Sequence, residues 1–365
     1  MSATFALIAG GGTGGHVYPA LALADELVAR GHPRDAIHFV GAQRGLEATA
    51  VPQARYAIDL LPGRGLVRSW SLRSVWRNLL TIRDTAVALV RATAIVRRTR
   101  PRVVVGVGGY ASLPALVASR LARVPAVVHE ADAYPGLANR IAVRLGARPA
   151  ISLPGTPLRG AVLTGNPIRA QIVHVQRKPV VPPLVAIVGG SLGARTINGA
   201  ALALAGLWRS RDDVTIQHVS GTRDYEECTR RLGSTRTPGD RLDYRLVAFE
   251  EHMERLYANA AVFVCRSGGM TAELAAVGMP SVLVPLPGAP GDHQTRNAEV
   301  FVNGRAAVMI ADSDLDGARL AQELDALLAD PGRLRAMGEA ARSLGRPDAA
   351  ARFADLVEEV ARGDR

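Results

Sequence analysis

The stretch ALIAGGGTGGHVYPALALADEL, residues 6–27, joins a short apolar run to a glycine-rich loop and then to a helical pattern. The same order returns in LVAIVGGSLGARTIN, residues 184–198, about half the chain later. A glycine loop at the start of a helix presents unpaired backbone N–H groups and the positive end of the helix dipole, which together bind anions without a metal ion. The duplication predicts two Rossmann-like halves that hold a phosphorylated ligand in a cleft between them.

Short β-branched runs alternate with helical stretches along both halves of the chain. They are residues 6–10, 37–41, 103–109, 126–132 and 162–167 in the first half, and LVAIVGG, VTIQHVS, YRLVAF, VFVC and SVLVPL in the second. Near-continuous apolar runs of this kind are typical of parallel strands buried on both faces. We therefore predict the α/β class, with two doubly wound parallel sheets.

The 365 residues leave room for two domains. Pro167 interrupts regular structure, and the proline-rich segment 178–183 precedes the strand of the second glycine loop. We predict a first domain over 1–168, a second over 169–345, and a final helix within 346–365 that crosses back to the first domain. In the first helix we expect Pro19 in the first turn and Gly31 as the stop.

Cysteine content and hydropathy limit the classes of protein to consider. Cys228 and Cys265 are the only cysteines, too few for a disulfide framework or a zinc-ligand cluster, which favours a reducing compartment. Met1 leads almost directly into the first strand, and no run of about 18 uncharged apolar residues occurs. We expect neither an export signal nor a membrane-spanning helix.

The formal net charge of +11 is concentrated in residues 64–102, which carry ten arginines and one acid, Asp84. Apolar residues recur there at helical spacing, namely Leu72, Val75, Trp76, Leu79 and Leu80. Such a segment suits a surface that faces anionic lipid headgroups, although a core-facing helix with a solvated arginine face fits the same pattern. No nucleic-acid-binding motif accompanies the charge, so no nucleic-acid partner is expected.

The first loop also satisfies the dinucleotide fingerprint through Gly10, Gly12 and Gly15. That fingerprint requires an acidic residue at the end of the second strand to hold a ribose, and the chain has Gly41 and Ala42 there. A nicotinamide enzyme is therefore disfavoured.

Two features of the first half could serve chemistry at the carboxyl edge of its sheet. His16 begins the helix after the first loop, where burial and the helix dipole favour a neutral imidazole that can accept a proton. A capping or ligand-orienting role for His16 fits equally well. Gly108 and Gly109 follow another strand, and we expect them to join the first loop at the same edge, although a tight turn alone would also explain them.

In the second half, Arg266 and Glu273 lie between two predicted strands. The Glu273 carboxylate could accept both hydroxyls of a ribose, although a first-turn glutamate that satisfies the helix dipole is the simpler explanation. Asp312 and Asp314 form a D-x-D pair, but they stand late in the chain at the start of a predicted helix, where they are expected to cap rather than to bind a metal.

Seven segments then occur in a recognisable order: GGGTGGHVYPALALADEL, GVGGYASLPAL, HEADAYPGLANR, GNPIR, GGSLGARTIN, VCRSGGMTAELAAVGMPSVLVPLPG and GDHQTRNAE. Together they resemble the MurG family of bacterial glycosyltransferases over nearly the whole chain. The resemblance implies a GT-B fold, with two Rossmann-like domains facing across a cleft. It also implies inverting, metal-independent and cofactor-free transfer of N-acetylglucosamine from UDP-N-acetylglucosamine to lipid I, the undecaprenyl-diphosphate-linked muramyl-pentapeptide, at the cytoplasmic face of the cell membrane.

The resemblance also implies roles for single residues. In the first half these are Thr13, Gly14, Gly15 and His16 near the diphosphate and acceptor, Asp132 at the acceptor, and Arg169 in the hinge motif GNP-x-R. In the second half the implied donor contacts are Ser191, Phe249, Glu250, Arg266, Met270, Thr271, Glu273, Gln294 and Asn297. Among them, Glu273 corresponds to the ribose carboxylate, Phe249 and the backbone of Glu250 to the uracil contact, and Gln294 to a sugar contact.

Two departures from the family pattern leave alternatives open. The family has Gln-Asn where this chain has Ala131 and Asp132, so an amide is replaced by a carboxylate that only accepts hydrogen bonds. Asp132 is therefore a competing candidate for the base beside His16. The segment between Arg266 and Glu273 is one residue shorter than in the family, and we expect the loop 267–271 to absorb the change. A related glycosyltransferase with another acceptor, or a non-catalytic paralogue that recruits partners to the membrane, remains an alternative.

Overall fold

The computed structural model describes residues 4–43, 45–62, 72–190 and 193–363, with the backbone alone for 72–82. Contacts divide the chain into two compact units, Met1–Arg169 with Pro347–Arg365, and Ala170–Arg346. Each unit is built around one parallel sheet with helices on its faces. The predicted α/β class with two doubly wound sheets is confirmed.

The first unit contains a seven-stranded sheet in the order β3-β2-β1-β4-β5-β6-β7, with parallel pairing throughout. Its strands are β1 (Ala6–Ala9), β2 (Ile37–Ala42), β3 (Ala57–Leu61), β4 (Val103–Gly106), β5 (Ala126–Glu130), β6 (Arg148–Ile151) and β7 (Val162–Leu163). Its first five helices are α1 (Gly14–Ala29), α2 (Glu47–Gln53), α3 (Leu72–Thr99), α4 (Ser112–Ala122) and α5 (Leu137–Arg144).

The second unit repeats this plan with six parallel strands in the order β10-β9-β8-β11-β12-β13. Its strands are β8 (Leu184–Val188), β9 (Thr215–Val219), β10 (Asp243–Val247), β11 (Ala260–Cys265), β12 (Ser281–Leu283) and β13 (Ala307–Met309). Its helices are α6 (Ala170–Val173), α7 (Arg195–Leu207), α8 (Tyr225–Thr235), α9 (Met253–Asn259), α10 (Met270–Val277), α11 (His293–Asn303), α12 (Gly317–Leu328) and α13 (Pro331–Leu344).

The last helix, α14 (Ala349–Arg362), belongs to the first unit. It packs beside α1, where Phe353 and Val357 join the same buried cluster as Leu23 and Leu27. Arg30, which caps the C-terminus of α1, donates to Asp355 at 2.6 Å and to the carbonyl oxygen of Ala351 at 2.8 Å. The other face of the sheet is covered by apolar residues of α3 and α4.

In each sheet the strand order reverses beside the strand that leads into the glycine loop. The reversal lies between β1 and β4 in the first unit and between β8 and β11 in the second. Ligands of open α/β sheets bind outside the carboxyl ends of the strands at such a switch point. The topology therefore marks two loop pairs, one in each unit, as candidate binding sites.

Two local predictions were wrong. Pro19 is the sixth residue of α1 rather than a first-turn residue, because the helix already begins at Gly14. Helix α12 is capped by Asp316, whose side chain accepts from the backbone N–H of Arg319, and Asp312 lies in a preceding 3₁₀ turn instead. Within the described ranges, no helix combines the length and apolar character needed to cross a bilayer.

Candidate active site

The glycine segments of the first unit pack directly against each other after β1 and β4. The N–H of Gly11 donates to the carbonyl oxygen of Gly108 at 3.2 Å. Gly109 has a φ of +81°, and a Cβ atom there would overlap the carbonyl oxygen of Gly11. Only glycine therefore permits this close approach. The prediction that Gly108 and Gly109 join the first loop at one sheet edge is confirmed.

His16 is the third residue of α1, and its ring lies over Gly108. A Cβ atom at Gly108 would overlap Cδ2 and Nε2 of the ring. The other ring nitrogen, Nδ1, lies 3.3 Å from the hydroxyl oxygen of Thr13, the residue that precedes the helix. The imidazole is thus held between the helix start and the turn after β4.

Asp132 follows β5 in a loop that a buried carboxylate organises. Glu130 is 5% exposed and accepts from the backbone N–H groups of Asp132 at 3.1 Å and Gly136 at 2.8 Å, and from Nδ2 of Asn139 at 2.9 Å. Burial raises the pKa of Glu130, while these donors oppose that change. Glu130 and Asn139 were not predicted as site residues, and their only signal in the sequence was the motif that they share with Asp132.

His129 connects this loop to the segment before Arg169. Its Nε2 atom lies 3.0 Å from the carbonyl oxygen of Gly165. Burial lowers the pKa of His129 to about 4, and the charges of His16 and Asp132 act on that pKa in opposite directions. Both candidate bases lie at the carboxyl edge of the first sheet, His16 after β1 and Asp132 after β5.

Arg169, the last residue of the Met1–Arg169 segment of the first unit, stacks on an aromatic ring of α1. Its guanidinium carbon lies 5.0 Å from the centre of the Tyr18 ring, within the range of a cation–π contact. Thr13, Gly14 and Gly15 form the start of α1 beside this pair. The start of α1 and Arg169 thus lie close together in the first unit.

In the second unit, Glu273 lies in the first turn of α10 and is 9% exposed. The hydroxyl of Tyr257, a fully buried residue of α9, donates to Oε2 of Glu273 at 2.8 Å. A carboxylate held in this way keeps acceptor capacity for a ligand, since each of its oxygens can accept more than one hydrogen bond. Tyr257 was not predicted as a site residue because in the sequence it resembles an ordinary core residue of a helix.

Met270 and Thr271 belong to α10 rather than to the loop before it, because the helix already begins at Met270. The loop between β11 and α10 therefore spans residues 266–269. The hydroxyl of Thr271 donates to the carbonyl oxygen of Gly268 at 2.8 Å, and a Cβ atom at Gly268 would lie 3.6 Å from Nε2 of Gln294.

Gln294 and Asn297 on α11 fix the same loop. Oε1 of Gln294 accepts from the backbone N–H of Leu286 at 2.9 Å, and its carbonyl oxygen accepts from the hydroxyl of Ser267 at 2.7 Å. Nδ2 of Asn297 donates to the carbonyl oxygen of Ser267 at 2.9 Å. Candidate donor contacts from two helices thus converge on one turn.

Arg266 points away from this turn. Its Nη1 donates to the carbonyl oxygens of Val284 at 3.2 Å and Pro285 at 3.1 Å, and pairs with Oδ1 of Asp312 at 2.5 Å. The other carboxylate oxygen of Asp312 accepts from the hydroxyl of Thr196 at 3.1 Å. Arg266 and Asp312 therefore brace the loop after β11 against the first turn of α7.

Of the remaining predicted contacts, the structure describes Phe249 and Glu250 but not Ser191 or all of the basic segment. Phe249 is 50% exposed after β10, and Oε1 of the next residue, Glu250, accepts from the backbone N–H of His252 at 2.9 Å. Ser191 lies outside the described residues. Of the basic segment 64–102, residues 64–71 and the side chains of 72–82 also lie outside them.

A cavity of about 610 Å³ lies elsewhere in the first unit, at the amino ends of β5 and β6. Arg120, Arg123 and Arg148 are among its lining residues. Because it occupies the edge opposite the glycine loops, it is separate from the candidate site. Among the residues with described side chains, no group of three or more histidine, cysteine or acidic residues is placed to hold a metal ion.

Both units match the models of one enzyme family. Residues 6–150 match the glycosyltransferase family 28 N-terminal domain, and residues 184–359 match the glycosyltransferase family 28 C-terminal domain. A relative from Alkalilimnicola ehrlichii is 40% identical over 98% of this chain and 99% of its own length. A relative from Desulforudis audaxviator is 37% identical over 97% of this chain and 98% of its own. Both are named UDP-N-acetylglucosamine--N-acetylmuramyl-(pentapeptide) pyrophosphoryl-undecaprenol N-acetylglucosamine transferase.

Solved structures agree with this assignment. MurG from Acinetobacter baumannii is similar with a TM-score of 0.74 and 26% identity, over 98% of this chain and 99% of its own. The calicheamicin glycosyltransferase CalG4 has a TM-score of 0.65 at 20% identity over the full length of both chains, and shows the fold alone. The predicted GT-B fold is thereby confirmed. Family matches in both units and relatives of 37–40% identity over nearly the whole chain show that this protein belongs to the MurG family of glycosyltransferases.

Proposed function

We propose that the protein transfers N-acetylglucosamine from UDP-N-acetylglucosamine to the 4-hydroxyl of the muramyl sugar of lipid I, and so forms lipid II for peptidoglycan synthesis. The observation that carries the proposal is the shared name of relatives that align along both units. That name contains both substrates, the sugar nucleotide and the pyrophosphoryl-undecaprenol acceptor.

The second unit binds the donor in this proposal. Glu273, oriented by Tyr257, accepts hydrogen bonds from the ribose hydroxyls. Thr271 and the start of α10 face the diphosphate together with Ser191, while Phe249 and Glu250 contact the uracil. Gln294 and Asn297 contact the sugar. Their hydrogen bonds to Leu286 and Ser267 hold them beside the loop before α10. Met270 contributes as the first residue of α10, and Arg266 acts by bracing the loop.

The first unit binds the acceptor and supplies the base. Neutral His16 takes the proton of the muramyl 4-hydroxyl, and the oxygen attacks the anomeric carbon of the donor sugar. The bond from that carbon to the diphosphate breaks, UDP leaves with the bonding electron pair on the opposite face, and the configuration inverts. Helix N-termini stabilise the charge on the leaving diphosphate without a metal ion. Asp132 is the alternative base, and Thr13, Gly14, Gly15 and Arg169 position the acceptor.

The acceptor carries a lipid, so we place the enzyme at the cytoplasmic face of the cell membrane as a peripheral protein. The arginine-rich segment 64–102 docks on anionic lipids of the inner leaflet. This role uses the amphipathic pattern described above and leaves the folded units outside the bilayer.

Purified protein, UDP-N-acetylglucosamine and a lipid I analogue test the activity. We expect release of UDP together with an acceptor product that is heavier by one N-acetylhexosamine. No UDP release with a competent lipid I analogue would overturn the proposal. Transfer to acceptors that carry no lipid, but not to the lipid I analogue, would support the alternative of a related glycosyltransferase.

His16→Ala separates an enzyme from a non-catalytic paralogue. We expect the variant to lose at least about 100-fold in kcat, as is typical when a general base is removed, with little change in the KM for the donor. His129→Ala is not a suitable control because it alters the loop at Gly165, so His32→Ala, three residues beyond the far end of α1, serves instead. Equal activity of both variants would contradict a catalytic His16.

A further inference from the structure

We propose that Glu47 is a positioning residue that fixes the first glycine loop and, through it, the placement of His16; the inference rests on the proposed role of His16. Glu47 is the first residue of α2 and is 2% exposed. Its Oε2 accepts from the backbone N–H of Gly12 at 2.7 Å, and its Oε1 accepts from that of Ala42 at 2.8 Å. One carboxylate thus joins the loop after β1 to the end of β2.

The chain leaves room for this carboxylate by placing glycines around it. A Cβ atom at Gly11 or Gly45 would overlap the carboxyl group, and one at Gly41 would overlap Cγ of the same side chain. Gly11 and Gly41 are at the ends of neighbouring parallel strands, while Gly45 lies in the turn before α2. Three glycines from separate segments therefore enclose one carboxylate, which indicates a built interaction rather than a surface acid folded inward by chance.

Both oxygens of Glu47 are engaged by backbone N–H groups and the side chain is buried, so it does not contact a substrate. The acid near the end of β2 is Glu47, and it is turned into the protein. A buried carboxylate that accepts two backbone donors stabilises the conformation of the donors. Its effect on chemistry must therefore pass through the loop.

Close contacts within the first unit connect Glu47 to His16. Glu47 holds Gly12; the adjacent Gly11 donates to Gly108 at 3.2 Å; and the His16 ring lies against Gly108. A shift of the loop would change the distance between Gly11 and Gly108 and would move the ring. Small displacements of a catalytic group reduce rates strongly because the reacting atoms must lie close together.

Glu47→Gln is the main variant. A carboxamide has one acceptor oxygen, so its NH₂ group would face one of the two backbone N–H donors. We expect kcat to fall by about 10- to 100-fold, with the KM for UDP-N-acetylglucosamine within about twofold because the donor contacts lie in the second unit. Gly41→Ala is the second variant: it keeps the charge but displaces the Glu47 side chain, and it should produce the same pattern.

The matched control is Glu26→Gln, which removes the charge of another partly buried carboxylate of the first unit, the one paired with Arg30 at 2.8 Å. It should leave kcat within about twofold of the unmodified protein. Thermal unfolding of all variants establishes that they are folded, and Gly41→Ala carries the test if Glu47→Gln does not fold.

A double-mutant cycle with His16→Ala gives a readout that a purely structural role would not produce. If Glu47 acts through His16, Glu47→Gln will lower the residual rate of His16→Ala by less than about twofold. Additive losses, or a kcat of Glu47→Gln within twofold of the unmodified enzyme, would overturn the proposal. Full activity of His16→Ala would instead overturn the base assignment, and the Glu47 inference with it, so the two failures are distinguishable.

Discussion

Three buried carboxylates of the two units are held by hydrogen bonds from neutral donors. Glu47 and Glu130 accept from backbone N–H groups, and Glu273 accepts from the hydroxyl of Tyr257. A buried carboxylate is costly unless its acceptor oxygens are satisfied, so such partners determine where the group can remain. At the scale of single residues, the site depends on these partners as much as on the side chains that meet the substrate.

Tyr257→Phe tests the support of Glu273. Loss of the hydroxyl removes one hydrogen bond that orients the carboxylate toward the ribose, so the KM for UDP-N-acetylglucosamine should rise about 3- to 10-fold while kcat changes by less than about twofold. Steady-state kinetics with varied donor measure both quantities. Tyr244→Phe is the control, since it removes a hydroxyl that hydrogen-bonds the buried His218 in the same unit. A fall in kcat at unchanged KM would contradict a ground-state donor contact.

His218 predicts a loss of stability in acid. Burial lowers the pKa of His218 to about 4 from the ordinary value of 6.5. Between these pH values the unfolded chain binds a proton that the folded chain does not, so the free energy of unfolding falls as pH decreases, by up to about 1.4 kcal/mol per pH unit. Below the folded pKa this contribution no longer changes with pH.

Urea unfolding of the unmodified protein and of His218→Gln at pH 7, 6 and 5 measures this effect. The variant should be less stable at pH 7, because the bonds to Tyr244 and Asn198 are altered, and the difference should shrink toward pH 5. His252→Gln, at an exposed histidine, should keep the original pH dependence. Parallel pH curves for all three proteins would show that His218 does not titrate as expected.

At the scale of elements, the glycine loops are defined by close contacts between segments that are far apart in the chain. Gly109 approaches Gly11 after the neighbouring strands β1 and β4, and Gly193 lies against the carbonyl oxygen of Ser220 after β9. Both have a positive φ, which glycine adopts without strain. The glycines therefore serve packing and backbone conformation together.

Gly109→Ala separates these two effects. The added methyl group would overlap the carbonyl oxygen of Gly11, so we expect kcat to fall at least about 10-fold through displacement of the first glycine loop. Gly146→Ala is the control: its φ of +99° imposes a similar backbone cost, and its Cβ would meet no atom within 4 Å. Gly146→Ala should lose about 1 kcal/mol of stability in urea unfolding, and Gly109→Ala should lose more because the overlap adds to the backbone cost. Equal activities would show that the loop contact does not affect catalysis.

The elements that sequence patterns missed are short or lie at sheet edges. β3 and β13 are edge or near-edge strands with partly exposed residues, and β6 contains Pro149. Their pairing depends on a neighbouring strand that supplies hydrogen bonds, and their local patterns are weak. The central strands were predicted because their continuous apolar runs reflect burial on both faces.

At the scale of the whole molecule, the fold alone does not identify the reaction. The same fold occurs in CalG4 and, with a TM-score of 0.63 at 14% identity, in a UDP-N-acetylglucosamine 2-epimerase. Specific function resides in the residues at the loop ends. The net charge of +11 adds a further property, attraction to anionic surfaces.

Vesicle binding tests the proposed role of the basic segment. Association with phosphatidylglycerol vesicles should weaken as salt increases, and the combined variant Arg73→Gln, Arg77→Gln and Arg83→Gln should bind about 100-fold more weakly, at roughly 1 kcal/mol per arginine. Co-sedimentation measures the bound fraction. The control combines Arg209→Gln, Arg241→Gln and Arg245→Gln in the second unit. If both triple variants weaken vesicle binding equally, binding depends on net charge rather than on this segment.

The sequence by itself determined the α/β class, the two glycine loops and the family, because hydrophobic periodicity, turn-forming glycines and ordered motifs are local properties of the chain. It also indicated that Glu273 and the turn before α10 lie together. Only the tertiary structure decided that Glu47 enters the first loop, that Tyr257 orients Glu273, and that Arg266 pairs with Asp312. These partners are separated by 16 to 46 positions, and a side chain's partner depends on which segments folding brings together and how deeply it buries them.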